Sequence, residues 1–185
     1  MPATIDIVLL ALGTALFASL ARTALTDPRC HGFYRFFVFE ATLVLVLLDR
    51  PHWFTREPST LFIVANCLLL ASALLALHGF VQLARNGRPD REEIDDKTFG
   101  FEHTTVLVHS GAYRFIRHPM YLSMILLGWG VAIKNTSELS LAVALAQTAL
   151  IVIAAFVEES ENIHRFGDAY REYMGRTRRF VPFVV

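Results

Sequence analysis

The chain has 185 residues, of which 54% are apolar, 12% aromatic and only 18% charged. That is about 100 apolar residues, more than one soluble core of this size can hide and about what five membrane spans of roughly 20 residues require. That apolar content argues against a nucleic-acid-binding, secreted or disordered protein, and the balance of 17 basic and 17 acidic residues leaves no net field to draw in a polyanion.

Apolar stretches run over residues 3–21, 33–48, 61–84, 119–133 and 139–157. They predict an all-α integral membrane protein with about five transmembrane helices. The first is not read as a cleaved signal peptide, because no basic residue precedes it. The second and fourth stretches are short for a full span, so their helices take in flanking residues or sit where the bilayer thins. Lys and Arg test the assignment independently. With five spans, one side collects 14 of the 17, and the other only Arg50, Arg56 and Lys134. Short cytoplasmic loops are the ones enriched in such residues, so the N-terminus is expected outside and the C-terminus in the cytoplasm.

The chain then reads as one membrane domain over 1–185. Three N-terminal spans (1–84) lead to a cytoplasmic connection (85–118), a helical hairpin of spans four and five (119–157) and a cytoplasmic segment (158–185). In the connection, residues 85–98 carry alternating charges with Gly87 and Pro89, a solvated linker. Residues 99–118 are aromatic and histidine-bearing, are expected to be extended over 104–108, turn at Gly111, and fold back over the membrane face. Past the fifth span, Ile163, Phe166, Tyr170, Tyr173 and Met174 recur at helical spacing, an apolar stripe expected to lie along the interface. Gly167 interrupts it and Asp168 is placed to cap a new start, so two short helices should meet there. Arg176, Arg178 and Arg179 are expected among anionic headgroups.

Two places carry candidate chemistry. Arg117-His118-Pro119-Met120-Tyr121 opens the fourth span: Pro119 suits a first helical turn, Arg117 can snorkel and Tyr121 can anchor at the interface, and the same group could equally form a binding site. Glu158, Glu159 and Glu161 follow the fifth span, where a helix C-terminus repels negative charge. Either they pair with Arg114, Arg117 or Arg165, or at least one binds a polar ligand. In a hairpin, His118 and Glu158 lie at one depth, and one pocket could hold both. Elsewhere in the spans, Arg35, Glu40, Asn66, His78, Gln82 and Gln147 read chiefly as interhelical ties, and Gly128 and Gly130 as points of close helix approach. Cys30 and Cys67 read as unpaired thiols, and no His or Cys spacing suggests a metal site.

The Arg117–Tyr121 run, the Glu158-Glu159 pair about forty residues on, and Phe166-Gly167-Asp168-Ala169-Tyr170-Arg171-Glu172-Tyr173 ending at Pro182 together resemble the integral-membrane methyltransferases. These are typified by isoprenylcysteine carboxyl methyltransferase and, more distantly, the phospholipid methyltransferases. The resemblance spans residues 111–182. It implies a C-terminal half that binds S-adenosylmethionine on the cytoplasmic side and methylates a lipophilic small molecule or lipid-modified substrate: a prenylcysteine-like carboxylate, a lipid amine or a small thiol. By the same resemblance Leu107, Val108 and Gly111 approach the nucleoside, with Tyr113 and Arg117 beside them. His118, Pro119 and Tyr121 wrap the cofactor, and Glu158 and Glu159 bind its polar end. Arg114, His118, Glu159 and Arg171 form the expected catalytic set, and the segment from Tyr170 to Arg176 closes the cytosolic side. A nicotinamide-dependent reductase of the sterol reductase kind and a non-catalytic membrane subunit are the competing readings. The reductases are much larger and usually carry Asn where Met120 stands.

Overall fold

A computed structural model describes residues 4–53, 59–87 and 106–182. Six α-helices run through them: α1 (Thr4–Leu20), α2 (His31–Asp49), α3 (Thr60–Asn86), α4 (Pro119–Lys134), α5 (Glu138–Phe166) and α6 (Asp168–Arg176). Short 3-10 turns lie at Ala24–Thr26, Arg50–His52 and Gly111–Arg114. Among the described residues the only β pairing is a single parallel bridge between Ile116 and Arg178. The all-α expectation holds. The expected linker over 85–98 and the aromatic segment from 99 fall largely outside the described residues.

Helix starts follow local chemistry. Ser59 and Ser137 cap α3 and α5 by accepting from the backbone N–H groups of Phe62 and Ser140. Pro119 occupies the first position of α4, where a missing donor costs nothing. Three helical segments, His31–His52, Thr60–Asn86 and Glu138–Phe166, are long and apolar enough to cross a bilayer, while α1 and α4 are apolar but shorter, at 17 and 16 residues. At 1.5 Å per residue the shorter pair reach about 24–26 Å, a little less than the hydrocarbon thickness of about 30 Å.

The bundle is apolar outside and polar in places within. Leu12 and Leu16 on α1 and Leu70, Leu74 and Leu77 on α3 are each more than half exposed, whereas Asp49, Ser140 and Gln147 are fully buried. This inversion suits a lipid solvent, where apolar faces lie outward and polar groups find partners between helices. α3 packs along α4 and α2 along α5. Ser72 donates to the Ser123 carbonyl at 2.7 Å, and Gln147 donates to Thr42 at 2.7 Å. Thr14 donates to Glu40 at 2.7 Å, so Glu40 ties α2 to α1. Asn66 bonds its own helix at Phe62 instead of crossing to a neighbour.

Each end of the bundle is tied separately. At one, Arg50 pairs with Asp6 at 2.7 Å and the Lys134 ammonium stands over the Trp53 ring at 4.8 Å. At the other, α5 stops at Gly167, whose φ of 59° lies in the left-handed region, and α6 begins at the next residue. Two helices do meet at Gly167, but Asp168 does not cap the second. Its carboxylate accepts from Arg171 at 2.8 Å on the surface, while the Gly167 carbonyl receives the first backbone bonds of α6. The apolar stripe also departs from expectation. Tyr170 and Tyr173 are buried, because the turn at Gly167 aims that face of α6 at the protein and away from the membrane surface.

Gly128 lies directly against the buried Gln147 amide, and a β-carbon there would fall on it. Gly128→Leu should lower unfolding stability in detergent by about 1–3 kcal/mol. Gly175 on α6 has open space at the same position, so Gly175→Ala should raise stability by up to about 1 kcal/mol through helix propensity. Thermal unfolding of both variants beside the parent checks the pair.

Candidate active site

The segment preceding α4 is held in place by the tail that follows α6. Arg117 N–H donates to the Arg178 carbonyl at 2.7 Å, His118 N–H to Arg179 at 3.1 Å, and Arg178 N–H to Phe115 at 3.0 Å. Pro119 keeps the residue before it out of the helical region, so His118 adopts φ −122°, ψ 60° and its ring points into the bundle. The ring stacks on Tyr121 at 5.4 Å between centroids, with Phe180 of the tail at 6.0 Å.

Glu159, only 4% exposed, is the electrostatic centre of this end. It accepts from Arg117 Nε at 2.7 Å, from Arg179 Nη2 at 2.6 Å and Nε at 3.1 Å, and lies 3.3 Å from His118 Nε2. Arg117 extends the network by donating to the Thr177 carbonyl at 2.7 Å and the Met174 carbonyl at 3.3 Å, which satisfies the open C-terminal end of α6. An ionised carboxylate only accepts, so His118 Nε2 is the donor in this contact and Nδ1 faces the other side of the ring. On that side stands Glu158, with Oε1 3.9 Å from Nδ1.

Beside this network a cavity of about 690 Å³, its open mouth included, lies between α3, α4, α5 and α6. Its walls come from Leu83 on α3, then Leu107, Val108 and Tyr113 of the connection, and Arg117, His118, Met120 and Tyr121 at the start of α4. Glu158, Asn162 and Phe166 on α5 and Tyr170 and Tyr173 on α6 complete it. Burial pushes the Tyr170 and Tyr173 phenols up, reinforced at Tyr170 by Glu158 and Glu159, so both stay neutral and can donate. Tyr173 donates to the Tyr113 carbonyl at 2.6 Å and fixes the turn that carries Tyr113 into the wall. A ligand entering here meets four phenol rings, an imidazole, one inward carboxylate and Arg117, whose guanidinium charge is already offset by Glu159. That set complements a flat, cationic molecule.

Seven of the candidate site residues line this cavity, Leu107, Val108, Tyr113, Arg117, His118, Tyr121 and Glu158, together with Phe166, Tyr170 and Tyr173 of the apolar stripe. Others stand outside it. Gly111 and Arg114 line a neighbouring cleft on the α6 side, Pro119 is buried beneath the helix start, and Arg171 bonds Asp168 on the surface. Glu159 does not line the cavity, since its oxygens are taken by Arg117, Arg179 and His118. Arg179 is likewise corrected: it turns inward to Glu159 and stacks over Phe156 at 3.8 Å instead of meeting headgroups. Arg114 and Arg165 stand over Phe115 and Phe166. His78 and Gln82 act as ties, His78 Nε2 accepting from Ala112 N–H at 3.0 Å and Gln82 accepting from Ser110 at 2.7 Å. Leu83 and Asn162 were missed as wall residues, while Met120 was read within the Arg117–Tyr121 run. Only Asn162, four residues beyond Glu158 on one helix face, left a signal in the spacing.

Apolar helices surround this cavity and its charged latch, the architecture of an integral membrane protein. The chain belongs to the phospholipid methyltransferase family, whose profile matches residues 60–169, from the first residue of α3 to the first turn of α6. Methanethiol S-methyltransferase 1 of Bradyrhizobium diazoefficiens is 34% identical over 71 residues, covering 38% of this chain and 24% of that protein. The methanethiol S-methyltransferase of Pseudomonas deceptionensis is 30% identical over 70 residues, 38% of this chain and 26% of that protein. The Mycobacterium tuberculosis protein of that name is 26% identical over 143 residues, 71% of this chain and 53% of its own length. The chain thus spans about a quarter to a half of the curated relatives it matches. No solved structure matches it.

Glu158 and Glu159 are predicted to separate under mutation. Glu159→Gln leaves two guanidinium groups without their counter-charge and should cost about 3–5 kcal/mol of stability. Glu158→Gln, with its side chain 30% exposed to the cavity, should unfold within about 0.5 kcal/mol of the parent. Thermal and denaturant unfolding of the two variants side by side decides it.

Proposed function

We propose that the chain is an S-adenosylmethionine-dependent methyltransferase that works at the cytoplasmic membrane face on a small thiol. The cavity carries this reading: its single inward carboxylate beside an imidazole, among tyrosine rings, suits a ligand with a flat nucleoside and two cationic centres. Family membership and the names of the relatives support methyl transfer, and those names favour a thiol over a prenylcysteine carboxylate or a lipid amine. The cytoplasmic face is supported by the 14 of 17 basic residues that a five-span topology collects on the cavity side.

Glu158 would hold the cofactor's ammonium or ribose hydroxyls, and Tyr113, Tyr121 and Tyr170 would pack its flat portion. Bound there, the cofactor supplies a methyl group on a sulfonium, an electrophile that needs an aligned nucleophile and little else. The chain's own residues do the remainder. Apolar walls from Leu83, Leu107, Val108 and Met120 exclude water, and positioning of this kind contributes roughly 7–11 kcal/mol in favourable cases. A thiol must lose its proton, because the thiolate is the nucleophile. His118 Nδ1 is placed to take it, since Nε2 already donates to Glu159 and that contact fixes the tautomer. The sulfur then gains the methyl group as the proton leaves to the imidazole.

Purified protein titrated with S-adenosylmethionine, its demethylated product and NADPH should bind the first two and not the third. Glu158→Gln should weaken S-adenosylmethionine at least about tenfold, in line with losing one charge-assisted hydrogen bond of about 1.5–3 kcal/mol. With a labelled methyl donor, label should appear in dimethyl sulfide when methanethiol is supplied. NADPH binding alone, or wild-type affinity in Glu158→Gln, would place the activity or the site elsewhere.

A further inference from the structure

A second group of chemically distinctive side chains lies one helical turn from the cavity. Cys30 and His31 open α2, and Glu161 on α5 reaches across to them from 130 residues away. One ligand atom from each of the three falls within 4.8 Å of the others, with Cys30 and His31 buried and Glu161 half-buried. We propose that Cys30, His31 and Glu161 form a binding site for a zinc-type divalent metal ion that clamps α2 to α5.

The contacts divide the work among the atoms. Glu161 Oε1 accepts from the His31 backbone N–H at 2.9 Å, which caps α2 and fixes the carboxylate. Its other oxygen, Oε2, faces His31 Nδ1 at 2.5 Å. A metal ion taking the place of the hydrogen between them gains a nitrogen and an oxygen ligand without disturbing the cap. Cys30 adds a sulfur, and that buried thiol is the member an ordinary histidine–carboxylate pair does not need. Sulfur, nitrogen and oxygen donors together suit zinc, and soft thiolate disfavours magnesium or calcium. Thiolate and carboxylate supply two negative charges against the ion's two, so the loaded site is neutral, as its burial demands. Binding releases the thiol proton, and also the Nδ1 proton when His31 carries both. Glu161 also lines an open groove with His164, Arg29 and Arg165, which gives the site an opening to the outside of α5.

The test is metal uptake by the 185-residue chain in detergent, independent of methyl transfer. After stripping with a chelator, wild-type protein should take up one equivalent of Zn²⁺ in competition with a chromogenic chelator, and its thermal midpoint should rise with added Zn²⁺. Co²⁺ in place of Zn²⁺ should give a near-ultraviolet thiolate charge-transfer band. Cys30→Ser, nearly isosteric with the parent, should weaken Zn²⁺ at least about tenfold and abolish the band, and Glu161→Gln should weaken it comparably. Cys67→Ser, at an exposed cysteine on α3, should change neither. Failure of the wild type to take up Zn²⁺ or shift its midpoint would overturn the site, as would unchanged uptake in Cys30→Ser.

Discussion

Two guanidinium groups and an imidazole converge on the Glu159 carboxylate where α5 leaves the bundle, and the geometry of the cavity follows from that meeting. A carboxylate at this depth is expensive without partners, and Arg117 and Arg179 supply them from two different segments. Arg117 belongs to the chain entering α4, and Arg179 to the tail leaving α6. Satisfying one charge therefore fastens both segments to α5, and the short bridge between Ile116 and Arg178 completes the latch. The imidazole of His118 takes its tautomer from the same carboxylate. Glu159 thus acts through its neighbours, and the adjacent Glu158 is left to face the ligand space.

This division explains why two consecutive glutamates are placed together on α5, which continues past them for two turns to Phe166 where the sequence suggested a helix end. One is neutralised inside the protein and organises the site. The other lines the cavity. Tyr113, Tyr170 and Tyr173 close the space between them, with the Tyr173 hydroxyl joining α6 to the turn before α4.

Much of this was legible in the sequence, for identifiable reasons. Hydropathy marked the apolar helices, because bilayer thickness imposes a length that few other constraints mimic. A hairpin of the last two fixed His118 and Glu158 at one depth, and the cavity holds both. Other features depend on partners that spacing does not encode. The stripe of Phe166, Tyr170 and Tyr173 announced an apolar neighbour without saying whether it was lipid or protein. Arg179 looked like its neighbours Arg176 and Arg178, and only the fold distinguishes a guanidinium against Glu159 from one paired with exposed Glu172. Cys30-His31 and Glu161 share no motif, since helix packing alone joins residues so far apart in the chain.

The most direct test of the central claim is an experimental structure of the protein with the demethylated cofactor bound. Ligand density between His118 and Glu158, walled by Tyr121 and Tyr170, with Glu159 still held by Arg117 and Arg179, is the predicted result. Density for the ligand elsewhere on the chain, or a Glu159 that leaves its arginines to contact the ligand, would contradict it.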